Sequence, residues 1–334
     1  MTDAKSPSWK QYQGDGKVRP IKKLPDAPGW RQFERRSALV QQMEKGERFR
    51  PPEAAIEMVN AAISLRRPLL ITGNPGTGKS SLPYAVAREL GLLPVLKWAI
   101  TTRTTLRDGL YSYDAIARLQ DAQLADRQGA VQQPIGEYIT LGPLGTAFLP
   151  SASPSALPKV LLIDEIDKSD IDLPNDLLNL FEDGEFPIPE LQRLSDGSVQ
   201  VRRFDRDEKN EQLKAAVENG VVRCTQFPLV IMTSNGERDF PAPFLRRCLR
   251  LRMPDPTPET LRDIVTSQFD AATAAKANDL IQSFCDRLGK KAILATDQLL
   301  NVIHMRLLEN SADGRSLTDL EARLLRDLEA PGDE

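Results

Sequence analysis

Between positions 73 and 80 the chain reads Gly73-Asn74-Pro75-Gly76-Thr77-Gly78-Lys79-Ser80, a G-x-x-x-x-G-K-S pattern. That spacing suits a polyphosphate. Glycines let successive backbone N–H groups curl round an anion, and a helix starting just beyond adds the partial positive charge of its N-terminus. Lys79 would reach the β- and γ-phosphates, and the Ser80 hydroxyl would ligate Mg²⁺. A glycine turn formed by chance is the plain alternative. The pattern, however, falls between an apolar run and a helical stretch, where its mechanism requires it. The expected contact set for ATP is Gly73, Asn74, Pro75, Gly76, Thr77, Gly78, Lys79, Ser80 and Ser81.

A second group follows the apolar run Val160-Leu161-Leu162-Ile163 and consists of Asp164 and Glu165. Asp164 would hold Mg²⁺ from the carboxyl end of a strand, where open α/β sheets place their ligands. Glu165 would polarise the attacking water, a role that needs a carboxylate near the γ-phosphate and off the metal. A third apolar run, Leu229-Val230-Ile231-Met232-Thr233-Ser234, ends in Asn235, whose amide can orient that water. Further on, Phe244-Leu245-Arg246-Arg247-Cys248 carries paired arginines. Paired arginines here usually form a surface face, and Arg246 is expected to pair with acids of its own chain, but in a ring this loop would touch the neighbour's nucleotide.

These residues need a scaffold that brings strand ends together. Strands are expected at about 68–71, 95–100, 160–164, 229–234 and 249–253, and helices at about 52–65 and 81–90. Alternation of this kind predicts α/β architecture: a five-stranded parallel sheet between helices. Two insertions interrupt it. One spans about 108–155, with a helical piece at 115–124 and a strand-like piece at 138–144. The other spans about 186–203, with a hairpin turn signalled by Ser195-Asp196-Gly197-Ser198. From about 256 onward only helical patterns remain, beginning with Thr257 as a cap and Pro258 at the first helical position. Residues 256–334 therefore read as a separate helical lid, and 48–255 as the nucleotide-binding core. Residues 1–47 read as a largely extended arm in which Trp9 and Trp30 could dock. His304, the single histidine, reads as a structural residue on a lid helix.

Composition narrows the classes. With 334 residues and 40% hydrophobic content the chain can bury one sizeable core and a smaller one. The apolar runs are far shorter than the roughly 20 residues of a membrane span, and no export signal stands at the start, so a cytoplasmic address is expected. Cys224, Cys248 and Cys285 form no C-x-x-C pair, which argues against a disulfide framework or a zinc site. The net charge is −3, but residues 1–50 hold 12 Lys or Arg against 6 Asp or Glu, leaving −9 for the rest. That balance gives no overall attraction to nucleic acid.

In this order the motifs resemble the AAA+ superfamily and, within it, the MoxR-like ATPases, over about residues 48–310. The likeness rests on Gly73 to Ser80, Asp164-Glu165-Ile166-Asp167-Lys168, Pro174-Asn175-Asp176-Leu177-Leu178, Thr233-Ser234-Asn235 and Phe244 to Cys248. It rests also on Gly142-Pro143-Leu144 inside what would be the helix-2 insert. The resemblance implies ATP and Mg²⁺ as cofactors, Asn235 as sensor 1 and Arg247 as a finger acting in trans, with Arg246 as runner-up. It also implies a hexameric ring and a chaperone-like role toward a protein partner, commonly one with a von Willebrand factor A domain. The chain departs from the pattern at the lid helix, where Ala295-Thr296-Asp297-Gln298 replaces the sensor-2 arginine, with Arg306 as one substitute. Three functions compete: an ATP-driven remodeller, a nucleotide-switched scaffold with slow hydrolysis, and a nucleic-acid translocase, the last favoured only by the basic arm and inserted loops.

Overall fold

The computed structural model describes residues 11–12, 14–21, 23–31, 37–128, 131–150, 157–194, 197–207, 209–290, 292–309 and 318–326. The chain divides into two units, one of residues 36–73 and 78–253, the other of residues 1–35, 74–77 and 254–334.

The larger unit opens with α1 (Ala38–Arg48) and α2 (Glu53–Leu65), followed by β1 (Leu69–Thr72), α3 (Leu82–Glu89) and β2 (Leu96–Ala99). The first insertion contributes α4 (Leu106–Leu110), β3 (Tyr111–Tyr113), α5 (Ala115–Gln128), β4 (Ile139–Leu141) and α6 (Pro143–Ala147). Then come β5 (Val160–Asp164), α7 (Leu173–Asp183), β6 (Glu185–Pro187), α8 (Pro189–Gln192), β7 (Ser198–Arg206), β8 (Gln212–Glu218) and β9 (Val221–Arg223). The unit closes with β10 (Leu229–Ser234), α9 (Ala242–Arg247) and β11 (Leu249–Arg252).

Five of these strands form the expected parallel sheet, in the order β11-β1-β10-β5-β2. β5 and β10 are buried along their whole length, as their unbroken apolar runs require of strands covered on both faces. Alternate residues serve opposite layers. Leu161 and Ile163 pack with Leu177, Phe148 and Phe244, whereas Val160 and Leu162 pack with Val59, Leu82 and Ile71. The register sets Ala99 opposite Asp164 and Thr72 opposite Ser234, so the polar strand ends share one edge of the sheet.

The two insertions differ from the sequence expectation first in building a second, six-stranded sheet, β3-β4-β7-β8-β9-β6. Of the expected turn at Ser195–Ser198, residues 195 and 196 lie outside the described residues. The hairpin that the structure shows joins β7 to β8, and at its turn Asp207 Oδ1 accepts from the Glu211 N–H at 2.7 Å and Asn210 takes a left-handed φ of 64°. The hairpin thus reaches Glu218 and extends well past the expected limit at 203. The strand-like piece of the first insertion is shorter than expected, because Gly142-Pro143 starts α6 directly after β4. At Gly145 a side chain would place its Cβ 2.0 Å from the Leu110 carbonyl oxygen, so this glycine is demanded by close backbone approach.

Residues 38–48, read from sequence as part of an extended arm, form α1. Ser37 caps it by accepting the Val40 N–H, and Gly46 lies against the backbone of Tyr84 on α3. Its helicity comes from that packing, since its own apolar content is low.

The smaller unit is helical: α10 (Pro258–Gln268), α11 (Ala271–Lys276), α12 (Asn278–Gly289), α13 (Thr296–Glu309) and α14 (Thr318–Leu324). Thr257 caps α10 as expected, accepting the Thr260 N–H. Val265, Ile281, Phe284, Leu299 and Val302 form its core. Trp30 docks here, edge-on to Phe269 and His304 at 5.6 and 6.0 Å between ring centroids, which bears out the structural reading of the histidine. Trp9 lies outside the described residues. Among the described residues no helix is long and apolar enough to cross a membrane. The three cysteines are free, and burial pushes the Cys248 thiol up to about 12.

Candidate nucleotide and metal site

β1 ends at Thr72 and the chain turns at once through Gly73, Gly76 and Gly78, whose φ values are 145°, 78° and 85°. Side chains rarely adopt these angles, and at Gly78 a Cβ would also sit 2.2 Å from the Phe49 ring. The loop is held from within, since Thr77 Oγ1 donates to the Asn74 carbonyl at 2.9 Å. In the smaller unit, with which residues 74–77 group, the Asn74 amide donates to Asp255 at 2.8 Å and Thr296 Oγ1 donates to the Gly76 carbonyl at 2.8 Å. Ser81 precedes α3, which carries Pro83 in its first turn.

Lys79 is buried, and its ammonium donates to the Gly73 carbonyl at 2.7 Å. Burial lowers its pKa, opposed by the charges of Asp167, Asp164 and Glu165. Ser80 Oγ donates to Asp164 Oδ1 at 2.6 Å. The two residues expected to share Mg²⁺, 84 positions apart in sequence, therefore stand together.

Asp164 accepts from two further groups, Thr233 Oγ1 at 2.8 Å and the Lys97 ammonium at 2.6 Å. Burial pushes its carboxyl up, but the bonds from Lys97, Ser80 and Thr233 outweigh that and hold it below the usual carboxylate range. Glu165 follows with a left-handed φ of 60°, a backbone state that costs a non-glycine residue of order 1–3 kcal/mol and recurs at functional sites. The turn is fixed by the Glu165 N–H donating to Thr233 Oγ1 at 2.9 Å, and the Glu165 side chain is half exposed, paired with Lys168 at 2.8 Å. Asn235 stands on the neighbouring strand end. Its backbone N–H donates to Asp167 Oδ2 at 2.8 Å, as does that of Glu237 at 3.1 Å. Asp167 is buried, and its Oδ1 has no hydrogen-bond partner among the described residues.

The sequence reading gave no role to Thr233, Asp167 or Lys97. Thr233 and Asp167 lay inside motifs already quoted, but their contacts cross from β5 to β10. Lys97 was signalled by a charge on a strand whose neighbours Leu96 and Trp98 are buried. Thr233→Val should leave the Glu165 N–H and one Asp164 contact unmet. We expect a loss of about 1–3 kcal/mol in stability and a fall in kcat at nearly constant KM, both restored by Thr233→Ser. An unchanged kcat would show that Thr233 does not set the Glu165 turn.

The paired arginines end α9, exposed. Arg67 donates to the Arg247 carbonyl at 3.1 Å and to that of Arg246. The pairing within its own chain, expected at Arg246, falls on Arg247, which binds Glu182 of α7. In the helical unit, Gln298 donates to the Leu324 and Arg326 carbonyls and accepts from the Ala295 N–H. Arg306 is held by Glu321 and Asp279, so the proposed sensor-2 substitute serves the packing of α12, α13 and α14. Among the described residues no group of three or more His, Cys, Asp or Glu could hold a metal ion. A hydroxyl and one carboxylate, with phosphate oxygens to complete the shell, fit Mg²⁺, which favours few protein ligands.

A parallel sheet in this strand order, with a glycine loop after β1 and an acidic end on β5, one strand away across β10, defines an α/β domain of the P-loop type. The chain belongs to the AAA domain family, dynein-related subfamily, whose profile matches residues 68–248. No curated protein matches it. Among solved structures it is similar to a candidate ATPase from Cytophaga hutchinsonii, at 13% identity and a TM-score of 0.37, covering 68% of this chain. The chain spans 53% of that structure's length.

Proposed function

We propose that this chain binds ATP with Mg²⁺ and hydrolyses it as one subunit of a ring that remodels or activates a protein partner. The observation that carries the reading is the Ser80–Asp164 contact beside buried Lys79, at the mouth of a loop whose glycines are bent for an anion. Lys79 offers its ammonium to the β- and γ-phosphates, and Ser80 and Asp164 would hold Mg²⁺, which supplies charge neutralisation at the phosphates when bound. Glu165 takes the proton of the attacking water, and Asn235 holds that water through its amide. To do so Glu165 must leave Lys168. Exposed pairs of this kind are worth about 0–1 kcal/mol, so the release costs little. Arg247 of a neighbouring subunit meets the charge that builds on the γ-phosphoryl group, and Arg246 is the second candidate.

The MoxR-like motif order supports a hexamer and a von Willebrand factor A domain partner. The Glu165–Lys168 pair gives some support to a second reading, a nucleotide-switched scaffold whose basal hydrolysis is slow. Partner-stimulated turnover with partner unfolding separates the first from the second.

Lys79→Ala tests the site itself. Removing the cation of a loop built for three phosphate charges should abolish ATP binding, measured by calorimetric titration of a variant whose melting curve matches the parent. Unchanged affinity would sink the nucleotide assignment.

A further inference from the structure

Lys97 belongs to no part of the site described by the loop, the acid strand or Asn235, yet it touches the metal-binding carboxylate. It stands on β2 opposite Leu162 of β5, two residues before the Ala99–Asp164 pairing. Residues two apart on a strand share a face, so Lys97 and Ala99 both project away from the layer that buries Leu96 and Trp98. From there the ammonium reaches Asp164 Oδ2 at 2.6 Å, while Oδ1 accepts from Ser80 and Thr233 at 2.6 and 2.8 Å. The carboxylate is thus engaged on both oxygens by three groups from three different segments. The cations around it are Lys97, Lys79 and the exposed Lys45, whose ammonium lies over the Tyr84 ring; the neighbouring anions are Glu165 and Asp167.

We propose that Lys97 is a positioning residue and an electrostatic guard: it orients Asp164 before nucleotide arrives and repels a free divalent cation, so that Mg²⁺ enters as its chelate with ATP. This deepens the Mg·ATP reading and rests on it. A free Mg²⁺ ion would bring two positive charges to Ser80 and Asp164, within a few ångströms of the Lys97 ammonium. At that distance Coulomb repulsion outlasts the screening of a partly exposed site. The Mg·ATP chelate carries net negative charge and is drawn to the same lysines. Lys97 turns an otherwise competent pair of metal ligands into one that waits for phosphate.

The test titrates Mn²⁺, followed by its electron paramagnetic resonance signal, into the nucleotide-free full chain. The parent should bind free Mn²⁺ weakly, Lys97→Met should bind it on the order of tenfold more tightly, and Lys97→Arg should behave as the parent. Lys97→Gln, which keeps a donor toward Asp164 without the charge, makes the same comparison if the methionine variant fails to fold. Equal free-Mn²⁺ affinity in the parent and the uncharged variant overturns the proposal, as does tight free-Mn²⁺ binding by the parent. Mn·ATP is titrated into the parent in parallel. Failure there overturns the nucleotide reading, a result distinct from any outcome of the free-metal comparison.

Discussion

Arg247→Ala is expected to bind ATP and still assemble while hydrolysing slower by about 10³–10⁵-fold, the range an arginine finger supplies where it acts. Hydrolysis concentrates charge on the γ-phosphoryl oxygens, and a guanidinium can fork onto two of them at once. In its own chain Arg247 is tied to Glu182, an exposed pair on the flank of α7. Its loss should therefore leave the melting temperature close to the parent's, because surface pairs contribute about 0–1 kcal/mol. Specific activity of the parent should rise steeply with protein concentration, since a finger supplied by a neighbour needs the neighbour. A dilute monomer as active as the concentrated protein would exclude the trans arrangement.

The second large effect is at Glu165. Glu165→Gln keeps the shape of the side chain and removes the base, so ATP affinity should stay near the parent's while turnover falls by about 10²–10⁴-fold. The neutral amide introduced there would also no longer attract Lys168, an exposed contact whose loss is minor beside the kinetic effect. Hydrolysis at the parent rate would remove Glu165 from the catalytic set. The two variants together make a sharper experiment than either alone. In a mixed ring an Arg247→Ala subunit keeps its own Glu165, and an adjoining Glu165→Gln subunit can offer its intact arginine. Activity recovered on mixing two nearly dead proteins supports a finger in trans, and a mixture that stays dead contradicts it.

The sheet and the polar edge that carries the candidate site were legible because both are written locally. An unbroken run such as Val160 to Ile163 can hardly be other than a strand buried on both faces, and its acidic end falls at the edge where the polar strand ends gather. The glycine loop announces its own geometry in the same way. What escaped was written across distance. β7 crowds four charges into Arg202, Arg203, Asp205 and Arg206, which blurs its apolar alternation, and its turn to β8 is made by Asp207 and Asn210, a weaker signal than Ser195-Asp196-Gly197-Ser198. α1 is helical because of Tyr84, which lies beyond the next helix and strand in the chain. Asp167 gains its role from the Asn235 and Glu237 backbone, and Lys97 from a carboxylate at the end of a strand on the far side of the first insertion. Neither partnership has a spacing that a single sequence displays.

Arg67 carries a mechanical consequence. Its guanidinium grips the last two carbonyls of α9, and it stands two residues ahead of β1, whose far end at Thr72 opens into the phosphate loop. The segment bearing Arg246 and Arg247 and the loop bearing Lys79 are thus tethered to the same short root of chain. Any load taken up by α9 reaches β1 by way of that tether. In the proposed ring, a subunit reaching toward its neighbour's nucleotide would, through Arg67, pull on the strand that leads to its own phosphate loop.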